Sequence, residues 1–219
     1  MSSTSVQQWM REQRALGHTL CLVVDAHAKW QTRQQQGEQH YCIYSQTPAA
    51  ELAKAGPLLV LIDYLEDERL SRLLSMPEQN WGWLASVSPS AGLEGVLRHW
   101  RQRLIVGARP HQALYRFHDN RVLSRALQHL SPEASAGYLG PIVSACYWQG
   151  THWATFNNDA PGDHPVPENP PWCEVPVETE RSTQIREINA RRYLLAEHLD
   201  AYARIADQHD PDTWLKDVV

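Results

Sequence analysis

Two acid and histidine pairs are the residues of this chain best suited to chemistry. Asp25-Ala26-His27 closes one apolar run, and His118-Asp119 closes the alternating run Tyr115-Arg116-Phe117. If both runs are strands whose ends meet, two carboxylates and two imidazoles converge, a donor set that suits a divalent ion in a small metal-dependent hydrolase. Strand ends are also where open α/β sheets carry their sites. The accompanying signatures are missing, however: the sequence holds no HExxH, GxSxG, Walker loop or GxGxxG. Asp119 also has a simpler use as the N-cap of a following helix. His152, His164, His198 and His209 lack ligand spacing, and Cys146 and Cys173 have no evident activating partner. The expectation is therefore a chain with no catalytic residue, metal ligand or cofactor, and the Asp25, His27, His118 and Asp119 hydrolase stands as the alternative.

The elements that would position these residues follow from hydrophobic period. Residues 115–118 alternate, with Tyr115 and Phe117 on one face and Arg116 and His118 on the other, as in a half-buried strand. After Asp119 the period changes: Val122, Leu123, Ala126, Leu127 and Leu130 line one face of a helix about three turns long. Further strands are expected at 18–25, 41–44, 58–62 and 81–87. Helices are expected at 5–16, 48–55, 65–74 and 89–104. Residues 58–62 are apolar throughout and read as a strand buried on both faces. Strands alternating with helices predict an α/β fold with a central mixed sheet covered by helices.

Beyond Gly140 the character shifts. Runs 142–148 and 151–156 flank Gln149-Gly150, which suits a hairpin turn. Residues 157–177 hold six prolines, so they read as an irregular crossing and not as a packed element. Residues 182–206 read as the longest helix, with Ile185, Ile188, Leu195, Leu199 and Tyr202 as a stripe interrupted at Arg192. The resulting division is an α/β lobe at 1–156, a proline-rich connection at 157–180 and a C-terminal helical lobe at 181–219.

A formal charge of -5 argues against a nucleic-acid binder. Arg98, Arg101, Arg103 and Arg109 fit the solvated face of an amphipathic helix better than a phosphate track. The four cysteines show no CxxC spacing, no apolar run is long enough to span a bilayer, and residues 1–16 do not form a signal peptide. A reducing cytoplasm is the expected location. Among the nine tryptophans, Trp81 and Trp83 share a strand face and are expected in the core. Trp148, Trp153, Trp172 and Trp214 lie in the hairpin, the proline-rich segment and the tail; with Tyr193 and Tyr202 they are the candidate partner-binding side chains, a local mini-core being the other reading.

Six stretches stand in a telling order: Leu22-Val23-Val24-Asp25-Ala26, Gly56-Pro57-Leu58-Leu59-Val60-Leu61, Trp81-Gly82-Trp83-Leu84-Ala85-Ser86, Leu97-Arg98-His99-Trp100-Arg101, Tyr115 through Leu123, and Gly140-Pro141-Ile142. Over about residues 20–142 they resemble the small bacterial effector chaperones, or adaptors, of the type VI secretion system. The pattern departs from that family at His118 and Asn120, where Tyr and Pro are common, and at Trp100, where Leu is. The resemblance implies a non-catalytic cytoplasmic adaptor that binds a secreted toxin effector and loads it onto a spike protein of the VgrG type. It assigns Asp25, Gly56, Pro57, Arg98, Arg101, Arg116, Phe117, Asp119, Arg121, Gly140 and Pro141 to the common framework. An immunity-type protein that neutralises a toxin is a further alternative.

Overall fold

The computed structural model describes residues 3–26, 40–107, 112–176 and, except for 189, 192 and 197, residues 187–218. The chain comprises two compact units, Met1–Val175 and Pro176–Val219. The first is built on a six-stranded sheet in the order β2-β3-β1-β4-β7-β8. Its strands are β1 (Thr19–Val24), β2 (His40–Cys42), β3 (Leu58–Leu61), β4 (Gly82–Val87), β7 (Ile142–Trp148) and β8 (Trp153–Asn157). A separate two-stranded ribbon pairs β5 (Ile105–Val106) with β6 (Ala113–Leu114). The α/β class holds, and every described ladder is antiparallel, which refines the expected mixture of strand directions.

Both faces of the sheet are covered, which is why the inner strands are apolar along their length. Every residue of β4 is buried, as are five of the six in β1. On one side Leu20, Leu22, Val24 and Val60 meet Val6, Trp9 and Met10 of α1 (Ser3–Ala15) and Leu70, Leu73 and Leu74 of α2 (Glu68–Leu74). On the other, Cys21, Val23, Leu59 and Ala85 meet Val96, Leu97 and Trp100 of α3 (Gly92–Gln102). The same cluster takes Leu123 and Leu127 of α4 (Asn120–His129) and Tyr138 and Leu139 of α5 (Pro132–Leu139).

Three sequence expectations change. Trp81 and Trp83 are both buried, but in opposite clusters. Gly82 between them has φ 144, and a Cβ there would overlap the Val23 carbonyl, so the strand's alternation begins only after it. Residues 115–118 do not form a strand: the ladder stops at Leu114, and Asp119 N–H donates to the Arg116 carbonyl at 2.9 Å to close a turn. The ring of Phe117 stacks on Trp100 at 4.4 Å, so side-chain packing outweighs the local β pattern. The long C-terminal helix is interrupted as well. Helical residues occur within 187–196, His198 takes φ -140, and a separate helix runs Leu199–Gln208 ahead of Pro211–Val218. Ile185 and Arg192 lie outside the described residues.

Candidate functional site

The end of β1 is the corner where the chemistry-bearing residues gather. Val24 pairs with Gly82, and Asp25 continues the ladder by donating its N–H to the Trp81 carbonyl at 2.8 Å. Asp25 is thus carried to the rim of the sheet beside the Trp81 ring. The turn before α4 delivers the opposite wall. Trp83 Nε1 donates to the Phe117 carbonyl at 3.0 Å, which together with the stacked Phe117 ring anchors the turn from within. Arg116 is left projecting outward, with its side chain 58% exposed. Asn120 donates from Nδ2 to the Trp148 carbonyl at 3.1 Å and ties the helix start to β7.

Asp119 is the N-cap expected from sequence, accepting the Arg121 N–H at 3.0 Å. Its carboxylate also accepts Arg121 Nε at 2.8 Å and Nη2 at 2.6 Å, while Arg116 Nη2 lies 3.7 Å away. Burial alone would raise its pKa. The hydrogen bonds from Arg121 and the charges of Arg121 and Arg116 outweigh that and hold the carboxyl below its ordinary value. Asp25 Oδ2 stands 3.5 Å from His118 Nε2. Tyr44 lies close enough to feel the corner: burial raises its phenol, Arg116 opposes and Asp25 adds to the rise. The corner encloses a cleft of about 290 Å³ lined by Asp25, Gln79, Asn80, Trp81, Arg116, Asp119 and Arg121.

This geometry joins Asp25, His118 and Asp119, as the hydrolase alternative required, but in a form unsuited to a cation. Both Asp119 oxygens face guanidinium groups, and two arginines would oppose a divalent ion. Among the described residues no group of three or more His, Cys, Asp or Glu could hold a metal. His27 lies outside the described residues. Gln79, Asn80 and Trp81 had no place in the sequence reading of the site. The polar run Glu78-Gln79-Asn80 just ahead of Trp81 was the available signal.

Other framework residues have structural work elsewhere. Gly56-Pro57 leads into β3, where the Pro57 carbonyl accepts the Ile43 N–H at 3.0 Å. Arg101 Nε donates to the same Ile43 at its carbonyl, 3.2 Å, fastening the segment after β2 to α3. Gly140, Pro141 and Arg98 lie at the opposite sheet end from Asp25, since Val87 pairs with Ile142 there. Arg98 and Pro141 line a second cleft of about 270 Å³ with Asp163, whose carboxylate is 3.7 Å from Arg98. That pair is exposed and contributes little. Gly140 has φ 60 and lies so close to His99 that a Cβ would overlap the ring.

The arginine face proposed from sequence needs correction at Arg103, which is 1% exposed. The α-helix ends at Gln102, and Arg103 turns inward to donate to the carbonyls of His99, Gly137 and His164. Its guanidinium lies 5.5 Å from the Trp172 ring. Arg109 is outside the described residues. Of the candidate partner-binding aromatics, Trp153 and Trp172 are 2% and 4% exposed and belong to the two cores, the mini-core alternative in a larger form. Trp148 is half-buried against Trp153. In the second unit Tyr202 and Trp214 are half-buried, whereas Tyr193 is 58% exposed, with Ile188, Leu195 and Leu199 also exposed.

A family model described as a domain of unknown function (DUF4123) matches residues 21–136. No curated protein and no solved structure matches the chain. The match takes in the whole lining of the Asp25 cleft and stops before Gly140-Pro141 and the second unit.

Proposed function

The chain belongs to the DUF4123 family, and from that premise we propose that it is a non-catalytic adaptor that binds a type VI secretion effector in the cytoplasm and loads it onto the spike protein. The observation that carries this reading over a hydrolase is the state of Asp119. A carboxylate that caps a helix and is clasped by Arg121 is neither a free base nor an available ligand, and it serves to hold a turn in shape. Support for partner binding comes from the second unit, where Ile188, Tyr193, Leu195 and Leu199 expose apolar surface outside the family match. In this reading the second unit chooses the client, and the family-matched unit is common framework that meets the spike. A stable client complex would bury about 1,600 Å².

The test is co-purification with co-expressed candidate type VI toxin effectors, comparing the full protein with a variant lacking residues 176–219. Capture by the full chain and loss in the variant is the expected outcome. Undiminished capture by the variant removes the second unit from client choice, and no capture by either contradicts the adaptor reading. Neutralisation of the toxin with no transfer to the spike would make the chain an immunity-type protein instead.

A further inference from the structure

We propose that the cleft at the end of β1 is a docking socket for a glutamate or aspartate side chain on a polypeptide partner, with Arg116 as the group that reads it. The inference rests on the adaptor reading and gives one contact of that adaptor its chemistry.

The two arginines of this cleft are not equally engaged. Arg121 spends its Nε and Nη2 on Asp119 in a bidentate pair at 2.8 and 2.6 Å. Arg116 has only a 3.7 Å ion pair to the same carboxylate, beyond hydrogen-bond reach, and its side chain is 58% exposed. Arg116 therefore brings to the cleft a planar guanidinium that makes no hydrogen bond among the described residues, a group able to meet a carboxylate bidentately. Its backbone is held still: the turn closes through Asp119 N–H to the Arg116 carbonyl at 2.9 Å, and the next residue, Phe117, is fully buried. A donor positioned in advance loses less freedom on binding. Gln79, Asn80 and Trp81 form another wall of the cleft, the two amides being tied into their own turn by donating to Met76 Sδ at 3.3 Å and the Glu78 carbonyl at 2.8 Å. Trp81 is itself locked, donating from Nε1 to the Leu73 carbonyl at 2.7 Å. Of the two acids in the lining, Asp119 is held by Arg121, and Asp25 faces His118 at 3.5 Å. A volume of about 290 Å³ accommodates one side chain and its flanking backbone. The exposure of Arg116 leaves the socket open to a polypeptide approaching from solvent.

The experiment follows the Arg116 Nε–H resonance of the full ¹⁵N-labelled chain during titration with N-acetyl-glutamate amide, with N-acetyl-glutamine amide as the neutral control. Capture of the co-expressed effector and spike is measured in parallel for wild type, Arg116→Gln and Arg116→Lys. The socket predicts a saturable shift with the glutamate probe only. It also predicts about tenfold or greater loss of partner capture in Arg116→Gln at unchanged thermal stability, with partial retention in Arg116→Lys. No shift with the glutamate probe, an equal shift with glutamine, or full capture by Arg116→Gln overturns the proposal and leaves the adaptor reading standing. Failure of the wild type to capture either partner sinks the adaptor reading itself, while the probe titration still decides whether the socket takes a carboxylate.

Discussion

At the scale of single residues, the first unit relies on polar groups enclosed by its core, and one of them sets how the fold answers acid. His99 is 2% exposed and, as a neutral ring, donates from Nε2 to the Tyr138 carbonyl at 2.8 Å. Burial first, then the charges of Arg103 and His164, pulls its pKa from 6.5 down to about 3. The folded protein therefore keeps this ring unprotonated across a range in which the unfolded chain takes up a proton. Stability is fully present above pH 6.5 and is lost progressively as pH falls toward 3, at a limiting slope of about 1.4 kcal/mol per pH unit. Asp119 adds a second loss lower down, below its ordinary value of 3.8, as its carboxylate is protonated and the Arg121 pair breaks. Urea unfolding from pH 7 to pH 4.5 should show the first slope in the wild type and its disappearance in His99→Gln. An unchanged slope in that variant would assign the acid sensitivity to other groups.

At the scale of elements, what was legible in the sequence divides along a physical line. Local rules read well where they met no competition. Asp119 was visible as a cap because an N-cap needs only its own first turn, and β3 was visible as an interior strand because both its faces are covered. They failed where contacts distant in sequence won. The alternation at 115–118 looked like a strand, yet Phe117 is recruited by Trp100 and Trp83, which period alone cannot reveal. Trp81 and Trp83 looked like one face until Gly82 turned the backbone between them. The cleft itself was half readable: Asp25, Arg116, Asp119 and Arg121 were singled out, while Gln79, Asn80 and Trp81 arrive from another segment through the β1 and β4 pairing. The tryptophans after Gly140 yield a direct test of core against surface. Trp172 packs in the main cluster over Arg103, so Trp172→Ala should cost about 3–5 kcal/mol in chemical denaturation. The exposed Tyr193→Ala should change stability by no more than about 0.5 kcal/mol. Similar losses in the two variants would contradict the division between packing and surface aromatics.

At the scale of the whole molecule, the family match falls within the first of the two units. The match spans residues 21–136, inside the stretch of about 20–142 that the six sequence motifs marked out, and it contains the Asp25 cleft. The apolar side chains exposed at Ile188, Tyr193, Leu195 and Leu199 lie beyond it. No helix among the described residues is long and apolar enough to cross a membrane. Among the described residues of this chain of net -5, Arg98 and Arg101 lie on α3, Arg116 and Arg121 meet at Asp119, and Arg103 is inside the core. The central claim is that this protein holds another polypeptide without transforming it. Native mass spectrometry of the full chain co-expressed with a candidate toxin effector is the direct measurement. The account predicts a stoichiometric complex in which the toxin keeps its unmodified covalent mass; a toxin that is cleaved or chemically altered, or no complex at micromolar concentration, would contradict it.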